Sequence, residues 1–398
     1  MNFGLMGRNV FFKSATVVAL AAAVFAVPVV QAAEAPADTG AAEAKVESAQ
    51  YPAKSKFTHF RVGQRNVKSI FSDRDGVMWV GTSGGAIRYD TKTDEYRHFD
   101  VRNGLLANGV FHVSRIGSRV AVGTYGGGLA MLDESTGDFH IYNVPDGLGD
   151  AFVYDVLEAE NGDAWIATWT GVNRIRKGEL DNPDAWEIHT VKSTSGGLPN
   201  DWVYGLAQGK NNDIWLATEG GLTRYNYADQ SWTNWQHADG LGAPYEMVKS
   251  QSKFSRDPAK YSSHHAQQKI EQGLQGVDTA YNPNYIVALE VDHNGQVWAG
   301  TWGAGLSRFD GKEWSVITVS DGLPSNHIFM LHEDAEQNMW IGTSHGLAML
   351  PADGAKMKLY DMEDGLFSNA VFSMDTQQDG TLWIGSFGGV ARINHLDD

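Results

Sequence analysis

The 398-residue chain contains no cysteine. Disulfides, thiolate metal sites, covalent c-type haem, a cysteine nucleophile and a lipid-modified cysteine are therefore all excluded. Cations are scarce: 31 Lys and Arg stand against 48 Asp and Glu, a formal charge of −17. A protein that neutralises phosphates needs the opposite sign, so nucleic acid is not an expected partner. There is no HExxH helix, phosphate loop, nucleophile–base motif or repeated carboxylate pair. Hence no catalytic residue, metal site or cofactor is expected. Long apolar runs are missing too, apart from Ala15–Val30.

That one run carries the features of a secretory signal. Arg8 and Lys13 precede it, and Val30, Ala32 and Ala33 supply small residues for cleavage. Sixteen residues ending near Pro28 are short for a span of about 20 residues. Residues 1–33 are thus expected to be a cleaved signal peptide, and 34–54, rich in Ala, Pro and Glu, a flexible leader. The product would be periplasmic in a Gram-negative cell, or secreted, with no membrane span after cleavage.

What the chain does have is glycine, 45 residues, together with 13 Trp, 14 Tyr and 17 Phe. These recur with a period. Trp-x-(Gly/Ala)-(Thr/Ser) begins at Trp79, Trp165, Trp215, Trp298, Trp340 and Trp383, and Ala121–Thr124 is a copy without its Trp. Each unit carries four short apolar segments; in the first they are 67–72, 77–82, 86–90 and 96–99. Turn chemistry separates them, with a Gly before every third segment and Asp-Gly-Leu or a variant after the fourth. Four strands repeated at about 43 residues are the pattern of a β-propeller blade. The reading is all-β: a seven-bladed β-propeller of four-stranded blades over 55–398. The last repeat stops after its third strand, while Phe57-Thr-His-Phe60 resembles the fourth-strand segment Tyr96-Arg-His-Phe99. The N-terminal strand is therefore expected to complete the last blade and close the ring.

Asp-Gly-Leu-Pro-Ser-Asn (321–326), Asn-Met-Trp-Ile-Gly-Thr (338–343) and Gly-Gly-Leu-Thr-Arg-Tyr (220–225) resemble the two-component regulator propeller repeat. The resemblance implies the extracytoplasmic ligand-sensing part of a sensor, often one responding to carbohydrate. The 398 residues show no Ig-like domain, second span or kinase after the repeats, so a signal is expected to pass through a partner.

A repeat sequence also separates scaffold from site. The repeated Trp, the Asp-Gly-Leu acids and the Arg shared by positions 88, 174, 224, 308 and 392 are expected to be structural. Two positions vary instead. Directly after the Thr of the second strand stand Ser83, Tyr125, Trp169, Glu219, Trp302, Ser344 and Phe387. Directly before the first strand stand Asn66, Gly109, Phe152, Trp202, Tyr285, His327 and Ala370. Both sets belong on one mouth of the channel, with His345 beside Ser344. The candidate binding residues are Tyr125, Trp169, Trp202, Glu219, Tyr285, Trp302, His327, His345 and Phe387, their aromatic rings suited to stacking on sugars, planar ligands or a partner. Plugging of the channel by the same rings is the competing reading.

From the Leu of Asp-Gly-Leu to the next strand is five residues in five linkers, but 45 from Leu241 to Ile286. An insertion at about 244–283 therefore leaves the scaffold on that face. Asp257-Pro258 can start a helix over 259–274. His264-His265 within it diverge by about 100° and suit a polar lid better than chelation. The expected function is non-catalytic binding of a small molecule, a carbohydrate among the candidates, or of an exported protein such as a membrane sensor. The alternatives are a propeller lyase or hydrolase using Glu219, His327 and His345 with a divalent cation, and an assembly factor for a periplasmic complex.

Overall fold

In a computed structural model, residues 57–252 and 257–393 are described. The expected signal peptide and leader lie outside these residues. The described residues divide into two compact units, one comprising 57–252 and 281–393, the other 257–280.

The larger unit is built of antiparallel sheets. Five have four strands, and a sixth has six, in the order 371–376, 382–393, 57–72, 77–82, 85–90 and 96–99. The first repeat's strands, Phe57–Ser72, Val77–Thr82, Gly85–Asp90 and Tyr96–Phe99, match the expected segments, but the first runs ten residues further toward the N-terminus. Its two ends have different partners. Val67 to Ser72 pair with Thr82 to Met78, whereas Phe57 to Arg61 pair with Ile393 to Gly389. Three side-chain hydrogen bonds cross the same junction between chain ends. Ser72 N–H donates to Asp375 Oδ2 (2.6 Å), Ser373 Oγ to the Val67 carbonyl (3.1 Å), and Gln377 Nε2 to Thr91 Oγ1 (2.9 Å).

Repeated residues build the scaffold. Trp79, Trp165, Trp340 and Trp383 are at most 1% exposed, and they pack in clusters that join consecutive repeats. Each indole must also place its N–H. Trp79, Trp298 and Trp340 donate to Asp73, Asp292 and Asp334, six residues upstream, at 3.2, 2.9 and 2.7 Å. The repeated arginines lie over these rings, Arg308 at 5.4 Å from Trp298 and Arg392 at 5.7 Å from Trp383. After four of the fourth strands a 3-10 turn ends in left-handed Gly, at Gly104, Gly147, Gly240 and Gly322. The Asp or Asn before that Gly accepts from the N–H of the residue that caps the turn, and the following Leu is buried. The Asp-Gly-Leu segments are turn formers with an apolar plug.

Residues 257–280 of the smaller unit depart from the single helix expected over 259–274. Asp257 caps only a 3-10 turn, Pro258–Lys260, and the α-helix is Ser263–Glu271. Ser262 adopts extended backbone and accepts from the His265 N–H, restarting the helix as a second N-cap. Lys269 Nζ ties the unit together, donating to Asp257 Oδ2 (2.5 Å) and to the carbonyls of Val277 and Thr279.

Candidate functional site

The hairpin between second and third strands is set by the Thr of the repeated motif. Thr82, Thr168, Thr218 and Thr343 are wholly buried. Each Oγ1 donates to the carbonyl of the Gly opening the third strand and accepts an N–H from the loop. That Gly is obligatory: Gly346 has φ +134°, and a Cβ there would lie 2.9 Å from the Tyr360 carbonyl. The residue after the Thr is therefore held in one place whatever its identity. A second device acts on the first strands. In all seven, register shifts across the residue after the first apolar position, such as Lys68 between Val67 and Ser69. A bulge frees that side chain from the sheet pleat and re-aims it.

These positions meet in a continuous run of rings. Tyr125 meets Phe152 edge-on at 4.7 Å, Phe152 stacks on Trp169 at 4.1 Å, and Trp169 stacks on Trp202 at 4.6 Å and 6°. Trp202 meets Tyr204 at 6.5 Å, Tyr204 meets Tyr285 at 4.9 Å, and Tyr285 stacks on Trp302 at 5.6 Å. His327 stands edge-on to Trp302 at 5.3 Å. Of the nine candidate residues, six rings (Tyr125, Trp169, Trp202, Tyr285, Trp302 and His327) are thus brought into one array. Glu219 joins it through Tyr204, whose hydroxyl donates to Oε2 at 3.3 Å. His345 stands apart in a hydrogen-bond chain, Ser325 Oγ to Ser344 Oγ to its Nδ1, each 2.8 Å. Phe387 pairs with Asn66 between the strands 57–72 and 382–393.

One expectation needs correction. The rings were expected to stand open for stacking, but Trp302 is 1%, Tyr285 3%, Glu219 0% and His327 0% exposed. Trp169 is half-buried with both faces covered by Phe152 and Trp202, so it offers an edge. Aromatic rings gain by covering one another when no ligand lies between them. Among the described residues no group of three His, Asp or Glu could hold a metal ion.

The bulge residues escaped the reading of variable positions. They are Lys68, Phe111, Tyr154, Tyr204, Val287, Phe329 and Phe372, one per repeat and two places beyond the second variable position. Phe111 stacks on Tyr154 at 4.4 Å, Tyr154 meets Tyr204 at 4.9 Å, and Phe329 stacks on Phe372 at 5.6 Å. Phe329 also meets Trp302 at 5.9 Å, so this second tier is continuous with the first. The signal was available: five of seven residues at one repeat position are aromatic.

Four segments, 62–84, 197–220, 280–303 and 322–345, match the two component regulator propeller family. The chain carries two-component regulator propeller repeats. Similar solved structures include two extracellular domains from B. thetaiotaomicron, each described as part of a hybrid two component system. BT3049 has a TM-score of 0.62 at 17% identity over 83% of this chain, and BT4673 has 0.61 at 16% over 86%. The chain spans only 40% and 43% of their lengths. A catalytically inactive virginiamycin B lyase from Staphylococcus aureus, solved with quinupristin, has 0.59 at 12%, covering 85% of this chain and 99% of that one. Such identities establish likeness of fold alone. No protein of curated function matches the sequence.

Within the propeller repeats the electrostatics follow burial. Burial holds the Tyr154, Tyr204 and Tyr285 phenols well above their ordinary value, and the Glu219 charge adds to the effect. All three stay neutral donors. Lys68 Nζ lies 4.1 Å over the Phe372 ring. Such a contact favours the ammonium by about 0.5–2 kcal/mol. Desolvation outweighs it and pushes Lys68 down to about 7. On the strand 282–291, burial pushes the Glu290 carboxyl up to about 8.

Glu290 has a checkable consequence. Its folded value lies above the unfolded one, so between pH 4.5 and 8 the folded state holds the extra proton. Stability from this group is full below that window and falls as pH rises through it. Urea denaturation should show a loss of about 2 kcal/mol between pH 5 and pH 7. Glu290→Gln should remove that slope; an unchanged slope would show that Glu290 ionises normally in the fold.

Proposed function

We propose that this chain is an exported, non-catalytic binding propeller of seven blades, whose aromatic mouth captures a small ligand or docks an exported protein such as a membrane sensor. The blade count rests on the six-stranded sheet. Counted as halves, its two long strands make eight, two blades joined at the chain ends, with 57–61 as the last blade's fourth strand. Export rests on residues 1–33 and agrees with the extracellular setting of the B. thetaiotaomicron domains.

The observation that carries the binding role is the ring array. It is assembled from positions where the repeats differ, so the blade scaffold does not demand aromatics there. Mutual stacking also gives it a ready response, because a ligand inserted between Phe152, Trp169 and Trp202 exchanges ring–ring contact for ring–ligand contact. Carbohydrate and aromatic peptide are the ligand classes that exchange suits.

Tryptophan fluorescence tests this. Titration with oligosaccharide and peptide panels should quench or shift emission for one class. Trp169→Ala and Trp202→Ala should weaken that binding by about 2 kcal/mol, the size of an interface hot spot, while thermal unfolding shows a folded protein. Binding that survives both substitutions would place the site elsewhere. Trp302→Ala is unsuitable, because truncating a buried ring opens a cavity and confounds binding with stability.

A further inference from the structure

Four Asn-Gly pairs occur in the chain, at Asn103, Asn108, Asn161 and Asn294. All four asparagines are exposed, so access to water does not separate them. Their hydrogen bonds do. Asn103 Oδ1 accepts from the Asp100 N–H (2.6 Å) while its Nδ2 donates to the His98 carbonyl (2.8 Å), and Asn108 Oδ1 accepts from the Val101 N–H (2.9 Å). Asn161 Oδ1 accepts from the N–H two residues on, that of Asp163 (3.0 Å). Asp379, at the same place in the last repeat's turn, accepts in the same way from Thr381 (2.9 Å). For Asn294 that N–H belongs to Gln296 and is already taken. Asp292 Oδ1 accepts from the N–H groups of both Asn294 (2.9 Å) and Gln296 (2.8 Å). The other two turns carry Ala159 and Gln377 where Asp292 stands, so no carboxylate competes there. Among the described residues the Asn294 side-chain amide makes no hydrogen bond.

We propose that Asn294 is a self-modifying site, converting spontaneously to aspartate and isoaspartate. The Gly295 backbone nitrogen, its proton lost to hydroxide, adds to the Asn294 side-chain carbonyl carbon. The bond from that carbon to the side-chain nitrogen breaks and ammonia leaves, closing a cyclic imide. Water then opens the ring at either carbonyl, giving aspartate or isoaspartate. One water enters and one ammonia leaves; no oxidant or reductant is consumed. Gly295 suits the nucleophile's role, since it has no Cβ to shield its nitrogen and its backbone turns freely. Its N–H must first leave the Asp292 carbonyl (2.7 Å), but Gly162 makes the same bond to Ala159 (2.8 Å), so this cost cancels between the two turns. What remains is the side-chain hydrogen bond that Asn161 must break and Asn294 need not. A bond of typical net worth slows the step by about ten-fold. The product would reach the scaffold. Isoaspartate lengthens the turn that aims Asp292, whose Oδ2 accepts from the Trp298 indole N–H (2.9 Å), and it alters the Asn294 carbonyl that accepts from Lys210 Nζ. This inference is independent of the binding role proposed above.

The test is ageing of the full-length wild-type protein in mildly alkaline buffer made with water enriched in heavy oxygen. Peptide mass mapping finds each site that loses ammonia and gains one heavy oxygen, and electron-transfer fragmentation separates isoaspartate from aspartate. In the folded protein Asn294 should convert about ten-fold faster than Asn161, and faster than Asn103 or Asn108. In urea the turns are gone and each of the four simply precedes Gly, so the rates should draw together. Asn294→Gln, whose longer side chain closes the larger ring far more slowly, should erase the dominant product. Conversion of Asn294 no faster than Asn161 in the folded protein, or a lead of the same size in urea, would overturn the proposal. So would a dominant product that persists in Asn294→Gln.

Discussion

Removing residues 51–61 is expected to destabilise the protein by on the order of 5 kcal/mol or more, while removing 34–50 leaves it unchanged. Residues 57–61 provide the whole strand that pairs with 389–393. Phe57 is 4% exposed among Leu366, Ile384 and Ile393, and Phe60 stacks on Trp383 at 5.2 Å with the Arg392 guanidinium 5.4 Å over it. Deletion would strip these contacts and leave 389–393 as an open edge ready to pair with another chain. Thermal unfolding and size-exclusion chromatography of the two deletions give the answer. Equal melting temperatures would show that the chain ends do not close the structure.

Trp340→Ala should cost about 3–5 kcal/mol and lower soluble yield. The ring is fully buried, stacks on Tyr360 at 5.7 Å and packs with Met374, Leu382 and Ile384 of the following repeat. Truncation loses that burial, opens a cavity between repeats, and leaves Asp334 Oδ2 without the indole N–H at 2.7 Å. That oxygen still accepts from Asn338 Nδ2 at 3.0 Å, so the lost donor adds a smaller penalty than a wholly unmet carboxylate would. Trp340→Phe separates the two effects: it keeps most of the packing and removes only the donor. Denaturant titration should therefore rank wild type above Phe above Ala. A stable Trp340→Ala protein that had lost binding would mean that this Trp serves the site rather than the scaffold.

The repeat pattern and its turns were legible in the sequence because they rest on local chemistry. A third-strand Gly at positive φ, an acid that caps its own turn and a Thr that locks a hairpin are each decided within five residues. The Trp–Asp pairing, six residues apart, is equally local, yet only the structure shows it. In the insertion, Asp257-Pro258 was a sound start signal, but Ser262 offered a second one and the chain used both.

By itself, the sequence determined the four-strand period, the residues common to all repeats, and the two sets of positions free to differ. Periodicity carries that information, since a side chain's place in a repeat is fixed by strand register. Only the tertiary structure decided what the free positions do to one another. Trp169 lies between Phe152 and Trp202, Trp302 is buried against Tyr285, Glu219 meets Tyr204, and Lys68 reaches Phe372 across 304 positions of chain. Phe152–Trp169, Tyr285–Trp302 and Tyr204–Glu219 each lie within one repeat, between its first and second strands, whereas Trp169–Trp202 joins neighbouring repeats and Lys68–Phe372 joins the two ends of the chain. The contacts between repeats follow no local rule, because they depend on how the sheets are set side by side and on a bulge that re-aims one residue in every first strand.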